Sequence, residues 1–184
     1  MLAVITDDFT GASEIAGIAL AKGYRTVIET RTIHRSDADV LVVATDMRSL
    51  GPEAAAQKSA ELTRQVLALD PELIFKKVDS VMRGNIGPEL EAQMLAENKC
   101  GALLVPANPS RRRTIADGVY YVDDMPVAES GFALNHDFAS PTSNVVDILR
   151  KGGASDVICI SPGDAFAASG VHIGNARSSE DLAT

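Results

Sequence analysis

Several residue types that mark particular classes of protein are scarce in this chain. Only two of its 184 residues are cysteines, too few for a disulfide scaffold or a cysteine zinc site. Its three histidines, His34, His136 and His172, lack the spacing of metal ligands. We therefore expect neither a cysteine nor a histidine metal site, and we assign no metal ligands in this chain. With 46% hydrophobic residues, it can instead fold around an ordinary apolar core without covalent cross-links.

Positive charge and long apolar runs are scarce as well. The formal net charge is −8, whereas nucleic acids and anionic membranes bind proteins with a basic face. No apolar run approaches 18 residues, and the amino terminus does not have the pattern of a signal peptide. We therefore expect no nucleic-acid or membrane partner and a cytoplasmic location. A small anionic ligand stays open, because it needs only a local cluster of cationic groups.

Two phosphate-binding motifs are also missing. The sequence contains neither Gly-x-x-x-x-Gly-Lys-Ser/Thr nor Gly-x-Gly-x-x-Gly, so it lacks the usual local means of holding a nucleotide. The turn at Asp7 and Asp8 further departs from the Asp-x-Asp pattern of phosphatases that form an aspartyl phosphate. Thr6 stands where the nucleophile of such an enzyme would be.

What the sequence does contain is a regular alternation of apolar runs and helical patterns. The runs predict strands at residues 2–5, 24–28, 40–44, 73–77, 101–105, 157–160 and 171–173. The helical patterns lie at 11–22, 52–69, 88–98 and 144–150. Strands that alternate with helices through short connections form a parallel sheet covered on both faces. We therefore predict one α/β domain over residues 1–184, with a three-layer, mostly parallel Rossmann-like sheet.

Residues 107–141 interrupt this alternation. Within them, short apolar runs at 119–122 and 125–127 are separated by Asp123 and Asp124. Two such runs around a pair of turn residues are typical of a β-hairpin. We interpret the segment as an insertion that carries a small hairpin arm.

Charged and polar side chains follow three of the predicted strands. They are Asp7, Asp8, Asp46, Arg48, Lys77, Asp79, Ser80 and Arg83. The carboxyl ends of parallel strands share one edge of the sheet, where ligands bind in this class of fold. We therefore expect these side chains to converge on one cleft.

Each part of this cluster has two interpretations. Adjacent carboxylates at Asp7 and Asp8 repel each other, so a metal, a substrate hydroxyl or a cation should hold them; alternatively, one of them only caps the following helix. Lys77 and Arg83, with the glycine-rich residues 84–87 before a helix, could cradle a carboxylate or phosphate. The alternative there is a salt-bridged loop. We interpret Arg111 and Arg112, in a run of three arginines, as part of a solvated loop.

With these residues laid out, the chain resembles the amino-terminal half of the four-carbon acid sugar kinases, which phosphorylate threonate, erythronate and 3-oxotetronate. The matching stretches are TDDFTGA at 6–12, TDMR at 45–48, KVDSVMRGN at 77–85, VPANP at 105–109, and RT at 113–114 leading to DGVYYV at 117–122. They follow the family's order across almost the entire chain.

The resemblance implies a division of labour between two domains. The amino-terminal domain of that family binds the sugar acid, and a carboxy-terminal domain absent from this chain binds ATP. ATP and Mg²⁺ would accordingly come with that nucleotide-binding domain, and this chain alone should be inactive. The residues that the resemblance assigns to the acid-sugar site are Asp8, Arg48, Lys77, Asp79, Ser80, Arg83, Gly84 and Arg113. Arg48, Lys77 and Arg83 would hold the carboxylate and position the hydroxyls. Asp8, with Asp7 beside it, would orient or deprotonate the attacking hydroxyl.

Three positions depart from the family pattern, and they leave the identity of the sugar acid open. Val81 replaces the usual Thr, Asn108 the usual Phe, and Arg112 the usual Gly. A second hypothesis is a stand-alone sugar-acid-binding module or pseudoenzyme without kinase activity. A Mg²⁺-dependent phosphohydrolase fits less well because its first Asp is missing. A homodimer is a further possible assembly.

Overall fold

The computed structural model describes residues 1–134 and 142–184, and it has the predicted α/β class. The first four strands are β1 (Leu2–Thr6), β2 (Thr26–Glu29), β3 (Val40–Ala44) and β4 (Leu73–Lys77). They form a parallel sheet in the order β2-β3-β1-β4. All five residues of β3 are buried, as expected for an apolar strand covered on both faces.

Helices cover both faces of this sheet. The α-helices of the described residues are α1 (Phe9–Ala21), α2 (Pro52–Leu67), α3 (Ile86–Ala96) and α4 (Val145–Lys151). On β1, Val4 packs in one cluster with Ala12 and Ala16 of α1, whereas Ile5 packs in another with Val66 of α2. Alternate side chains thus face opposite helices, which gives the predicted three layers. Within the described ranges, no helix is long and apolar enough to cross a bilayer.

A second parallel sheet and an antiparallel arm complete the fold. The remaining strands are β5 (Gly101–Leu104), β6 (Arg113–Ala116), β7 (Val119–Val122), β8 (Met125–Pro126), β9 (Val157–Ile160) and β10 (Gly170–Gly174). The second parallel sheet has the order β5-β10-β9, and the arm has the order β6-β7-β8. Ile173 of the sheet and Ile115 and Tyr120 of the arm belong to one hydrophobic cluster.

The predicted hairpin is confirmed as the pair β7–β8. Asp123 and Asp124 turn the chain with φ angles of 51° and 64°, the positive values that tight hairpin turns favour. A second hairpin, which the sequence analysis missed, joins β6 to β7 through Asp117 and Gly118. The last part of the predicted insertion, residues 135–141 with His136, lies outside the described residues.

The structure corrects two details of the sequence prediction. The parallel strands are divided between two sheets, because β4 and β5 each lie at a sheet edge and do not pair with each other. Hydrophobic periodicity identifies strands but carries no information about their neighbours. In addition, α3 begins at Ile86, so Pro88 is the third helical residue rather than the first. It is still within the first turn, where a missing N–H breaks no intrahelical bond.

A buried ion pair joins the first sheet to α3. The Lys76 ammonium on β4 donates to the Glu89 carboxylate at 2.6 Å, and the two side chains are 6% and 2% exposed. The Ser59 hydroxyl of α2 donates to the backbone oxygen of Glu89 at 2.7 Å. Both ends of the loop between β4 and α3 are therefore held firmly.

We expect Lys76→Met to lower the free energy of unfolding by about 3–5 kcal/mol, because it leaves the Glu89 carboxylate buried and unpaired. The double variant Lys76→Met/Glu89→Leu should recover most of that loss, since it removes both charges. Urea unfolding measures these differences, with Lys99→Met as a control at an exposed lysine. A loss for Lys76→Met no larger than for this control would contradict the expectation.

Candidate functional site

The carboxyl ends of the parallel strands form one edge of the first sheet, which we call its carboxyl edge. The guanidinium of Arg48 lies at the centre of the charged residues there. Its Nε atom donates to Asp7 Oδ2 at 2.7 Å, and Nη1 and Nη2 lie 2.8 Å from Asp8 Oδ2 and 3.3 Å from Asp79 Oδ1. Arg48 follows β3, Asp7 and Asp8 follow β1, and Asp79 follows β4. The predicted convergence of these strand ends is thus present in the structure, and one cation pairs with both adjacent aspartates.

Asp8 both caps a helix and pairs with Arg48. Its Oδ1 atom accepts the backbone N–H of Gly11 at 2.7 Å at the start of α1, while its other oxygen faces the guanidinium. A Cβ atom at Gly11 would lie 2.9 Å from Asp8 Oδ1, which explains a glycine there. The two interpretations of Asp8, as a cap and as a site residue, are therefore compatible.

Asp79 is the most tightly held of the three carboxylates. Its side chain is 4% exposed and accepts the backbone N–H groups of Val81 and Arg83 at 3.0 and 3.1 Å. The Arg83 guanidinium adds two bonds, from Nε at 2.9 Å and Nη2 at 2.6 Å. Burial by itself raises the pKa of Asp79, but these hydrogen bonds, with the charge of Arg48, lower it overall.

Both arginines are stabilised in their charged form. Burial lowers the pKa of Arg48, but its hydrogen bond to Asp7 and the three nearby carboxylates raise it overall. The hydrogen bond to Asp79 raises the pKa of Arg83. The two guanidinium groups and the three carboxylates therefore form a fixed ionic network, which we call the aspartate–arginine network. Its members are Asp7, Asp8, Asp79, Arg48 and Arg83.

The turn after β4 takes an unusual backbone path around this network. Met82 and Gly84 have φ angles of 61° and 87°, in the left-handed region that favours glycine. A Cβ atom at Gly84 would lie 3.4 Å from Arg48 Cγ and 3.6 Å from Asp7 Oδ2. Gly84 thus lets the chain turn and approach Arg48 closely.

Lys77 lies beside the network and leads to two residues that the sequence analysis did not assign to the site. Its Nζ atom donates to the backbone oxygen of Val78 at 2.8 Å and lies 3.8 Å from Glu14 Oε2. The other carboxylate oxygen of Glu14, Oε1, lies 3.5 Å from Arg111 Nη2. Glu14 follows Gly11 by three residues on α1 and so lies on the helix face that meets Lys77. No local signal distinguishes Arg111 from its neighbours.

Ser80 and Arg113 lie at the boundary between the site and the arm. Ser80 is exposed, and its backbone oxygen accepts the hydroxyl of the fully buried Tyr120 at 2.5 Å. Burial raises the pKa of Tyr120. The Arg113 guanidinium stacks 5.0 Å from the Phe132 ring centre. In the described part of the chain, no ion pair joins Arg113 to the aspartates of the network.

The structure shows the surroundings of the three residues that depart from the family pattern. The buried Val81 side chain belongs to the core cluster of the arm, while its backbone N–H binds Asp79. Arg112 has a φ of 52°, a conformation that glycine adopts more readily. Asn108 exchanges backbone hydrogen bonds with Arg113. The exposed Asp46 also has a left-handed backbone, with a φ of 52°.

A separate cavity of about 450 Å³ lies at the opposite edge of the first sheet. Leu2 and Val40, the first residues of β1 and β3, are part of its lining, with Ile15 and Ile18 of α1. Ligands in open parallel sheets bind at the carboxyl ends of the strands rather than at the amino ends. We therefore place the candidate site at the aspartate–arginine network.

Known proteins share both the sequence pattern and the fold. Residues 2–181 match the family model described as sugar-binding N-terminal domain. A D-threonate kinase from Salmonella typhimurium is 35% identical over 150 residues, and a D-erythronate kinase from Heliobacterium modesticaldum is 31% identical over 153 residues. Each match covers 79% of this chain and 35% of the relative. The chain thus spans about a third of the length of these curated relatives.

A solved structure from Bordetella bronchiseptica, a domain of unknown function described as a domain-swapped dimer with bound citrate, superposes with a TM-score of 0.81 at 25% identity. The match covers 98% of this chain and 48% of that one. Fold and sequence therefore agree over nearly the whole chain, as the resemblance implied. The chain belongs to the family of sugar-binding N-terminal domains, and it is similar in sequence to part of a D-threonate kinase and part of a D-erythronate kinase.

Proposed function

We propose that this chain is the sugar-acid-binding part of an ATP-dependent kinase that phosphorylates a hydroxyl of a four-carbon sugar acid. The observation that carries the proposal is the aspartate–arginine network at the carboxyl edge of the first sheet. It offers fixed carboxylate acceptors for hydroxyl groups, with cations close by for a carboxylate. The citrate bound by the Bordetella relative supports a small acid as the ligand.

Asp8 is the principal candidate for orienting or deprotonating the attacking hydroxyl. Its side chain is 25% exposed, whereas that of Asp7 is 7% exposed, so a ligand reaches Asp8 more readily. Each carboxylate oxygen has two acceptor positions, so Asp8 can accept a substrate hydroxyl while it keeps Gly11 and Arg48 as partners. Asp7 then acts beside it by holding Arg48 in place. Ser80, Gly84 and Arg83 form the adjacent wall of the proposed site, and Arg113 its outer boundary.

ATP and Mg²⁺ belong to a carboxy-terminal nucleotide-binding domain in this proposal. In residues 1–134 and 142–184, no group of three His, Cys, Asp or Glu side chains is placed to hold a metal ion. The carboxylates of the site are already bound to guanidinium groups, so they do not fit Mg²⁺ as they stand. The contribution of this chain is to bind and orient the acid, which is a large part of catalysis in phosphoryl transfer.

Location and assembly follow from the same proposal. An ATP-dependent kinase of a small metabolite works where ATP is made available, so we propose the cytoplasm. The domain-swapped dimer of the Bordetella relative supports a homodimer as the assembly.

We expect D-threonate to bind this chain at least about tenfold more tightly than threitol, its neutral polyol counterpart. A charge-assisted hydrogen bond to a carboxylate contributes about 1.5–3 kcal/mol, and 1.4 kcal/mol is a factor of ten in affinity. Isothermal titration calorimetry at neutral pH measures both ligands. Equal affinities would remove the carboxylate from the proposal.

The 184-residue chain should show no kinase turnover by itself. It lacks the usual nucleotide-binding motifs, and half of the proposed machinery should bind the acid without transferring phosphate. An assay of ADP release with ATP, Mg²⁺ and D-threonate tests this. Steady release of ADP that depends on threonate would show that the chain binds nucleotide without a second domain.

The network also predicts how stability depends on pH. The pKa of Asp79 is lowered below its usual 3.8, so its contribution to stability is complete above that value and disappears as pH falls through the folded-state pKa. Asp79→Asn should therefore lower the free energy of unfolding by about 1–3 kcal/mol at pH 7, by leaving buried donors unsatisfied. The difference from the wild type should shrink as pH falls from about 4 towards 2.

Urea unfolding across this pH range measures the difference, with the exposed Asp70→Asn as a matched control. A gap between Asp79→Asn and the wild type that stays constant down to pH 2 would show that the Asp79 charge does not stabilise the fold.

A further inference from the structure

The cations at the candidate site differ in how well their charge is compensated. In the aspartate–arginine network, two arginines face three carboxylates, so the group has a formal charge of −1. The Arg48 and Arg83 contacts to carboxylate oxygens are 2.6–3.3 Å long. A ligand carboxylate would have to compete there with aspartates that are already well bound.

A second group of charged side chains, beside the network, has an excess of positive charge. Lys77 and Arg111 face a single carboxylate, that of Glu14, so this group has a formal charge of +1. Its contacts are 3.8 and 3.5 Å long, beyond the usual 2.7–2.9 Å of a charge-assisted hydrogen bond. Glu14 therefore satisfies neither cation fully.

The position of this second group suits the carboxylate of a ligand that also reaches Asp8. The Lys77 ammonium lies 3.9 Å from where a Cβ atom of Gly11 would be, next to the amino terminus of the 13-residue helix α1. The helix dipole at that end attracts negative charge. Asp8 caps the same helix end and faces the network. The two groups thus adjoin across the first turn of α1.

We propose that Arg111, together with Lys77, receives the carboxylate of the sugar acid, and that Glu14 competes with the ligand for these two cations. The inference rests on the proposed function and adds an orientation to it: the carboxylate lies on the Lys77 and Arg111 side, and the hydroxyls face Asp8. Arg111 and Glu14 then determine how strongly acids are preferred over neutral polyols. The chain segment before β6, which carries Arg111, thereby becomes a wall of the site.

Calorimetry with D-threonate and threitol tests this on four variants. Arg111→Gln should weaken threonate binding severalfold, because solvent screens the contact of a side chain that is 70% exposed, while threitol binding stays unchanged. Arg111→Lys, which keeps the charge, should restore part of the affinity. Glu14→Gln should tighten threonate binding severalfold, because a competing carboxylate is removed. The matched control is Arg112→Gln, which removes a neighbouring arginine that pairs with Asp123 and Asp124 instead, and it should change threonate binding less than twofold.

The outcomes separate the inference from the proposed function. If the wild type prefers threonate but Arg111→Gln and Arg112→Gln have equal effects, only overall charge matters and the inference is overturned while the proposed function stands. Weaker threonate binding by Glu14→Gln would also overturn it, since Glu14 would then assist the ligand. If the wild type binds threonate no better than threitol, the proposed function itself fails.

Discussion

The carboxyl edge of the first sheet depends on one guanidinium, that of Arg48. The strand order β3-β1-β4 places Arg48, the Asp7–Asp8 pair and Asp79 at three neighbouring strand ends. Without a cation among them, three carboxylates with side chains 4–25% exposed would repel each other and lose solvation. Arg48 contacts all three and so allows acidic side chains to gather where a parallel sheet binds ligands.

The surrounding structure keeps this network rigid. Asp8 is fixed by Gly11 at the start of α1, and Asp79 is fixed by the left-handed turn at Met82 and Gly84. Tyr120 supports the same turn from the arm through the backbone oxygen of Ser80. A polar site that is already organised needs little rearrangement when a ligand binds, which is the condition for effective positioning and electrostatic stabilisation.

The sequence predicts the strands and the network better than the contacts around them. The strands at 40–44 and 73–77 match the structure residue for residue. Residues 40–44 form an unbroken apolar run, which is typical of a strand covered on both faces. The convergence of Asp7, Arg48 and Asp79 follows from the rule that parallel strands present their carboxyl ends at one edge. These inferences need only local patterns and one general rule of topology.

Other features depend on contacts between distant residues, and local patterns do not contain them. Arg111 looks like any arginine in a solvated run, and its contact with Glu14 depends on how the segment before β6 lies beside α1. The support that Tyr120 gives to the turn also depends on a distant contact, because Tyr120 and Ser80 are 40 residues apart in sequence. The division of the parallel strands into two sheets is likewise a property of strand neighbours, which periodicity does not encode.

A crystal structure of the chain with D-threonate tests the central claim most directly. The account predicts that Arg48 keeps its contacts with Asp7, Asp8 and Asp79. The ligand carboxylate should lie about 3 Å from the Lys77 ammonium and the Arg111 guanidinium, and a hydroxyl should lie at hydrogen-bond distance from Asp8. Threonate bound away from this edge, or an Arg48 that leaves its aspartates to bind the acid, would contradict the account.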